Sequence, residues 1–325
     1  MPDISKINAV AVADIEKLDS ILAANIEKVN GLTFAAAEPV AAAAYSVRLL
    51  DSLLGTTYTG AAMRVRRSGD DIEADVEFDS NNEISLTSPI SNASSGTYTD
   101  LADFVDHATT PRDAFCVEWK DQSGNGNDAT QPTAGGSGQQ PQLYDATTGL
   151  ITENGKPALD FDGSNDQLDF PATWDANFYY SVFAVRQGTS NIFLGCPDTS
   201  TYYADVGLTG ATNYNLQNGF NGLNQTNDWE IYRKNGAAAF SSQASRDEYK
   251  TAFYDGNQVL MSFLTNGSPF AISQFTSLRI GGYTSPGLNY LGVAQEFIMY
   301  QSTTGNQSGN ATSIEGNMNG FFSIY

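Results

Sequence analysis

The residue types that most often carry chemistry are sparse in this chain. There is one histidine, His107, and there are two cysteines, Cys116 and Cys196, neither in a CxxC pair. Zinc sites built from cysteine and histidine are therefore excluded. A serine or cysteine nucleophile would have to rest on His107 alone. That histidine lies in the polar stretch DFVDHATTPRD and reads as a solvated bystander. The two thiols fit a single disulfide or two separate buried sites equally well. Oxygen ligands offer more. Asp121, Ser123 and Asn125 stand at spacing two and Gly126 follows, which half-matches a calcium loop. The position where a bidentate glutamate should close that loop is Pro132. Two readings stand, a structural turn and a bound calcium. Calcium is the one candidate cofactor; otherwise none is expected. The acidic run SGDDIEADVEFD (68–79) reads as a solvated strand edge whose charge guards against edge pairing.

These groups sit in a strongly acidic chain. Its 325 residues carry 16 Lys+Arg against 37 Asp+Glu, a formal charge of −21. A nucleic-acid binder needs a basic face, so that class is excluded. Docking on anionic lipid is disfavoured for the same reason. Aromatic residues make up 11% of the chain, too many for a disordered one. The start, MPDISKINAV, lacks the basic and apolar regions of a cleaved signal. No apolar run approaches the roughly 18 residues of a membrane span. The expectation is a protein with no membrane insertion and no cleaved export signal. If it works outside a cell, something else carries it there, and a virion released by lysis is one such carrier.

The first residues repeat with a period of 11. Units start at Asp3, Asp14 and Asn25 and share the pattern [DN]-I-[SE]-K-[ILV]-[ND]-x-[VIL]-x-[VLF]-A. Asp and Asn are good helix N-caps. The apolar pairs Ile4 and Ile7, Ile15 and Leu18, and Ile26 and Val29 are three apart, which puts each pair on one face of a helical turn. Val10/Val12 and Leu32/Phe34 alternate like strand. Each unit therefore reads as one helical turn plus a short extended piece. Gly31 and the recurring Asn/Asp disfavour a continuous right-handed coiled coil. So small a unit cannot bury a face alone. Residues 1–37 are expected to be an anchoring or oligomerisation arm, with Ile4, Ile7, Ile15, Leu18, Ile26 and Val29 as its contacts. The plainer alternative is an amphipathic arm packed on its own domain.

Residues 38–325 read as one domain. EPVAAAAYSVRLLDSLLG (38–55) predicts a connecting helix, with Pro39 in its first turn, Gly55 at its end and a stripe of Val47, Leu50 and Leu54. From Ala61 the period switches to two. Short strands follow at 115–119, 158–162, 181–186, 191–195, 258–264, 277–282 and 293–300, separated by turn-rich stretches. Residues 133–141 form a loop, and 313–325 a short helix ending in packed aromatics. Many short strands at this spacing predict a mainly β sandwich or jelly roll.

Several blocks stand in order along the chain: AAAYSVRLLDSLLG (42–55) with YTGAAMRVRRSGDD (58–71), WKDQSGNGNDATQ (119–131), NGKPALDFDGSND (154–166), SVFAVRQGTS (181–190) and IGGYTSPGLNYLGVAQEFIMY (280–300). Together they resemble the catalytic domain of fungal-type α-L-arabinofuranosidase B. That resemblance implies a concanavalin A/laminin-G-like double-sheet jelly roll built to cleave terminal arabinofuranose. The same blocks occur in laminin-G-like domains of phage tail and appendage proteins. The 11-residue repeat resembles the ISKINGV-type segments that open many phage structural proteins.

The resemblance also locates the family's catalytic carboxylates. The nucleophile position falls on Ala204 within Tyr202-Tyr203-Ala204-Asp205-Val206, and using Asp205 would need a one-residue shift that flips the side chain to the other face. The acid/base position, after Ile280-Gly281-Gly282, holds Tyr283. The vicinal cysteine pair is reduced to Cys196-Pro197. The expectation is a fold kept without its catalysis, hence no enzyme. A sugar can still be held by aromatic faces with neighbouring polar groups. The candidates are Tyr202, Tyr203, Trp229 and Tyr283, with Asp205 and Asn213 adding hydrogen bonds; ordinary packing is the competing reading for each.

The combined expectation is a bacteriophage structural protein. It would be a tail fibre, appendage or head-decoration fibre, on the exposed surface of tail or head. It would display a non-catalytic carbohydrate-binding jelly roll toward a host-surface glycan, joined to other virion proteins through residues 1–37 and assembled as a homotrimer. Two alternatives remain. One is a glycoside hydrolase with relocated carboxylates, Asp205 with Glu296 or Asp228. The other is a purely structural cement protein.

Overall fold

The computed structural model describes residues 40–131, 138–174, 178–190, 193–195, 229–240, 246–265, 275–282 and 289–325, together with six two-residue strands before residue 40. The chain divides into two compact units, Met1–Pro39 and Val40–Tyr325.

In the first unit each repeat is a β-hairpin and not a helical turn. β1 (Lys6–Ile7) pairs with β2 (Val10–Ala11), β3 (Lys17–Leu18) with β4 (Ile21–Leu22), and β5 (Lys28–Val29) with β6 (Leu32–Thr33), all antiparallel. The register is the same in each: Ile7 faces Val10, Leu18 faces Ile21, and Val29 faces Leu32. The reason lies in the connections. Two residues separate the strands, Asn8-Ala9, Asp19-Ser20 and Asn30-Gly31. Two is the commonest hairpin loop length, and Asn-Gly its strongest signal. A single helical turn, by contrast, fixes several residues for one hydrogen bond. Ile4, Ile15 and Ile26 lie outside the described residues.

The second unit is a mainly antiparallel β-sandwich of the jelly-roll kind. Its strands are β7 (Ala41–Ser46), β8 (Met63–Arg67), β9 (Glu73–Val76), β10 (Ile90–Ser91), β11 (Ala114–Trp119), β12 (Ala129–Thr130), β13 (Gln142–Asp145), β14 (Gly149–Leu150), β15 (Thr152–Glu153), β16 (Lys156–Pro157), β17 (Leu159–Asp162), β18 (Leu168–Trp174), β19 (Tyr179–Ser190), β20 (Leu194–Gly195), β21 (Trp229–Lys234), β22 (Ala237–Ala238), β23 (Gln258–Thr265), β24 (Phe275–Ile280) and β25 (Leu291–Ser302). One sheet runs β22-β21-β23-β19-β25-β7. The other runs β10-β9-β8-β11 and continues through β12, β18, β24 and β20. β17 pairs with both β13 and β25, and so bridges the two.

Aromatic side chains fill the space between the sheets. Tyr45 and Phe297 come from one sheet, and Trp119 and Phe170 from the other. The Tyr45 ring lies 5.2 Å from Phe170, 5.9 Å from Trp119 and 6.0 Å from Phe297. All four are buried. Each such ring takes roughly 150–250 Å² out of water, which makes this cluster the main adhesive of the sandwich. The outer face of the sheet that holds β23 and β25 is covered by α4 (Ala311–Phe322), through buried Ile314, Met318 and Phe322. The sequence places this helix correctly.

The helix predicted over 38–55 is not there. Residues 41–46 form β7 instead, and helix is confined to α1 (Asp51–Leu54), which ends at Gly55 with φ 65°. The four alanines favour helix by less than about 0.7 kcal/mol each over ordinary residues. Tertiary pairing outweighs that. β25 is buried along most of its length and needs a partner on this edge, and Ala43 and Ala44 are small enough to lie fully buried beside it. Val47 and Leu50 are core residues, as the stripe implied, but not on a helix.

One charged group is locked into this junction. Glu296 of β25 is fully buried and accepts from Arg48 Nε at 2.7 Å, Arg48 Nη2 at 3.0 Å and Ser46 Oγ at 2.7 Å. Arg48 also donates to Asn317 Oδ1 of α4 at 2.8 Å and lies 5.1 Å from the Phe321 ring centroid. The cluster ties β7, β25 and α4 together. Breaking a buried pair on one side leaves an uncompensated charge. Glu296→Gln is expected to cost about 3–5 kcal/mol in chemical denaturation, whereas the double change Arg48→Met, Glu296→Leu recovers most of it. A loss under about 1 kcal/mol in the single variant would refute this.

Candidate functional site

The best-described of the sequence candidates is the loop 121–128. Asp121 is buried and both carboxylate oxygens accept hydrogen bonds from the protein. Oδ1 accepts from Ala44 N and Ser123 N, each at 2.9 Å; Oδ2 accepts from Ser123 Oγ at 2.8 Å and Asn127 N at 3.0 Å. Asn125 Nδ2 donates to the carbonyls of Ala41 and Ala42, and Asn127 Nδ2 donates to Ala42 O at 2.8 Å. Gln122 N donates to Ala44 O at 2.8 Å. These contacts run along the edge of β7 that has no strand partner among the described residues. Side chains and backbone of the loop thus do the work of a missing strand, closing an edge that would otherwise be open. Asp121, Ser123 and Asn125 are brought together by that geometry. Among the described residues, no group of three or more His, Cys, Asp or Glu side chains is placed to hold a metal.

The sugar candidates fall mostly elsewhere. Tyr202, Tyr203, Ala204, Asp205, Asn213 and Tyr283 lie outside the described residues, as does Asp228. Trp229 opens β21, where it pairs with Thr265. Glu296, proposed as one partner of a relocated pair, is sealed beneath α4 by Arg48 and has no open face. His107 meets the Tyr144 hydroxyl at 2.5 Å through Nδ1. Cys116 is a free, buried thiol, and burial pushes its pKa up.

Sequence reasoning missed a group of residues at one end of the sandwich. The Gly281–Gly282 turn is its centre. Gly281 has φ 102°, and a Cβ there would stand 2.5 Å from the Phe161 ring and 2.6 Å from the carbonyl of Asp166. Only glycine fits that approach. Gly281 N donates to Phe193 O, and Tyr290 N donates to Gly281 O, both at 2.9 Å. On the interior side lies Arg186, fully buried, with its guanidinium carbon 4.0 Å from the Tyr254 ring centroid and 5.7 Å from those of Phe193 and Tyr290. Its Nε meets Met261 Sδ at 2.7 Å. A buried arginine boxed by rings is a cation–π arrangement. Its sequence signal was an arginine on the apolar face of SVFAVR.

On the other side of the turn lies Asp166, 5% exposed. Its Oδ2 accepts from Asp162 N at 2.8 Å. Burial raises its carboxyl to about 7, against the pull of that N–H bond, and the charges of Asp162 and Asp160 add to the rise. Asp160 is raised too, by burial and by Asp162. A carboxyl that holds its proton near neutrality can act as a general acid.

No family model matches the chain, and no curated protein matches it. Solved structures do. An arabinofuranosidase complexed with arabinofuranosyl-α-1,2-xylobiose is similar at 14% identity and a TM-score of 0.48, over 87% of this chain and 63% of that one. A GH54 α-L-arabinofuranosidase soaked with a cyclic sulfate inhibitor is similar at 15% identity and a TM-score of 0.46, over 86% of this chain and 62% of the other. The chain therefore spans less than two thirds of the length of either. This finding corrects the expectation of a chain that is no enzyme: the similar structures are glycoside hydrolases, and that expectation is withdrawn.

Asp166 makes stability depend on pH in a defined direction. Its folded pKa lies above its unfolded value of about 3.9. The folded chain then holds more protons than the unfolded one between those values. The contribution is fully present below about pH 4 and is lost as pH rises through about 7. Asp166→Asn keeps the oxygen that accepts from Asp162 N. It should flatten the fall in melting temperature between pH 5 and 8; an unchanged slope would refute the assignment.

Proposed function

We propose that this chain is a displayed virion protein of a bacteriophage, whose arm joins it to the particle and whose jelly roll adheres to a host-surface glycan. The observation that carries the reading is the arm. Its three repeats are three separate hairpins of identical register, each with two residues per strand. A lone two-stranded hairpin is marginal in water. Ile7, Leu18 and Val29 recur at one position of that register, so a partner that accepts one unit accepts the next. Assembly as a homotrimer would let three arms cover one another. The sandwich supports the second half of the reading, since it is a rigid scaffold of the kind that presents binding loops outward. The net charge of −21 favours a neutral glycan over an anionic one.

Removing residues 1–37 is the test of the anchor. The shortened chain should fold and stay soluble but no longer join particles, as measured by mass spectrometry of purified virions. Incorporation at the full level would refute it. A glycan array probed with the full chain tests the adhesion half.

A second reading, glycan cleavage, is favoured by Asp166, the proton-holding carboxyl beside the Gly281–Gly282 turn. In retaining glycosidases an acid works with a nucleophile about 5–5.5 Å away. Release of 4-nitrophenol from 4-nitrophenyl α-L-arabinofuranoside, lost in Asp166→Asn, would establish cleavage by this carboxyl. Turnover that survives the substitution would remove Asp166 from the chemistry.

A further inference from the structure

A cleft of about 400 Å³ opens beside the start of β7, lined by Val40, Ala41, Ala42, Asn125, Asn127, Phe178 and Gln301. Ligand sites commonly measure roughly 300–1,000 Å³. Its chemistry is specific. None of these lining residues is charged. Asn125 and Asn127 donate their amide N–H groups to the carbonyls of Ala41 and Ala42. Gln301 donates its own to Tyr180 Oη at 3.2 Å. Asn127 and Gln301 each keep a second amide N–H, and the three amide oxygens are the acceptors left for a ligand. Phe178 adds an aromatic wall, and Val40 to Ala42 an aliphatic one.

An uncharged cleft with spare acceptors and an apolar wall suits a ligand with several hydroxyl donors, an apolar ring face and no charge. We propose that this cleft is a saccharide subsite that holds one ring of a neutral oligosaccharide, with Asn125, Asn127 and Gln301 accepting from its hydroxyls and Phe178 against its ring. None of these seven lining residues is among those that the sequence marks for sugar binding. The loop that closes the edge of β7 thereby also forms the floor of the subsite. The inference rests on the glycan-binding reading and gives it a location and a ligand class.

The test uses the full chain and isothermal titration with xylo-, manno-, galacto- and gluco-oligosaccharides, and polygalacturonate as the charged control. Phe178→Ala and Gln301→Ala are the variants, since neither residue takes part in the Asp121 network. A neutral oligosaccharide should bind, and each variant should weaken it about tenfold or more without a change in melting temperature. Unchanged affinity in both variants overturns the subsite and leaves glycan adhesion standing. Binding of polygalacturonate as tight as that of any neutral sugar also overturns the subsite. Failure of every neutral oligosaccharide to bind overturns the adhesion reading itself. If Phe178→Ala does not fold, Gln301→Ala decides the matter alone.

Discussion

Glu296 is a carboxylate taken wholly out of water on β25, between β19 and β7, and much of the fold follows from the need to compensate it. Its two oxygens take three donors, all from Ser46 and Arg48. That requirement holds residues 46–48 against β25, and with them the strand that runs up to Ser46. Arg48 gives a further Nη2 donor to Asn317 of α4, so the helix at the end of the chain is oriented by the same charge. A parallel case lies two residues earlier on α4. Glu315 is fully buried, accepts from Arg233 Nε and Nη2, each at 2.7 Å, and takes Ser262 Oγ at 2.7 Å. Two buried ion pairs therefore set the helix on its sheet. Such pairs add little net stability, but they penalise any other placement.

β7 exposes a second constraint. It pairs with β25 on one side and, among the described residues, has no strand on the other. The loop 121–128 answers with a carboxylate, two amides and a backbone N–H placed along that edge. A polar loop can replace a strand because the groups it must satisfy are few and lie at fixed intervals. The same placement turns amide oxygens away from their strand-bound nitrogens, which is how a device that seals an edge can also offer acceptors to a ligand.

Much of the fold was legible in the sequence. Period-two alternation with turn-rich breaks located β8, β11, β17, β19, β23, β24 and β25, because buried faces force that alternation. The terminal helix was legible for the same reason. Two elements were not. AAAAYS looks helical by composition, and only a partner strand far along the chain makes it β. The repeat looked helical because Ile and Leu at spacing three fit one helical face. The decisive feature was the two-residue gap between apolar pairs, a signal of turn chemistry rather than of periodicity. Of the candidate site, the Asp121 loop was visible as spacing alone. Asp166 and Arg186 were not, because their character comes from burial, and nothing local in DFDGSND or SVFAVR announces which polar residue the sandwich will enclose.

Each hairpin of the arm completes its pairing inside its own 11 residues. Among the described residues, no strand of one unit pairs with a strand of the next. The number of units is therefore free of the register that governs a sheet, where one residue gained or lost turns every side chain over. An in-frame duplication or deletion of a unit adds or removes one whole hairpin and leaves the pairing of its neighbours as it was.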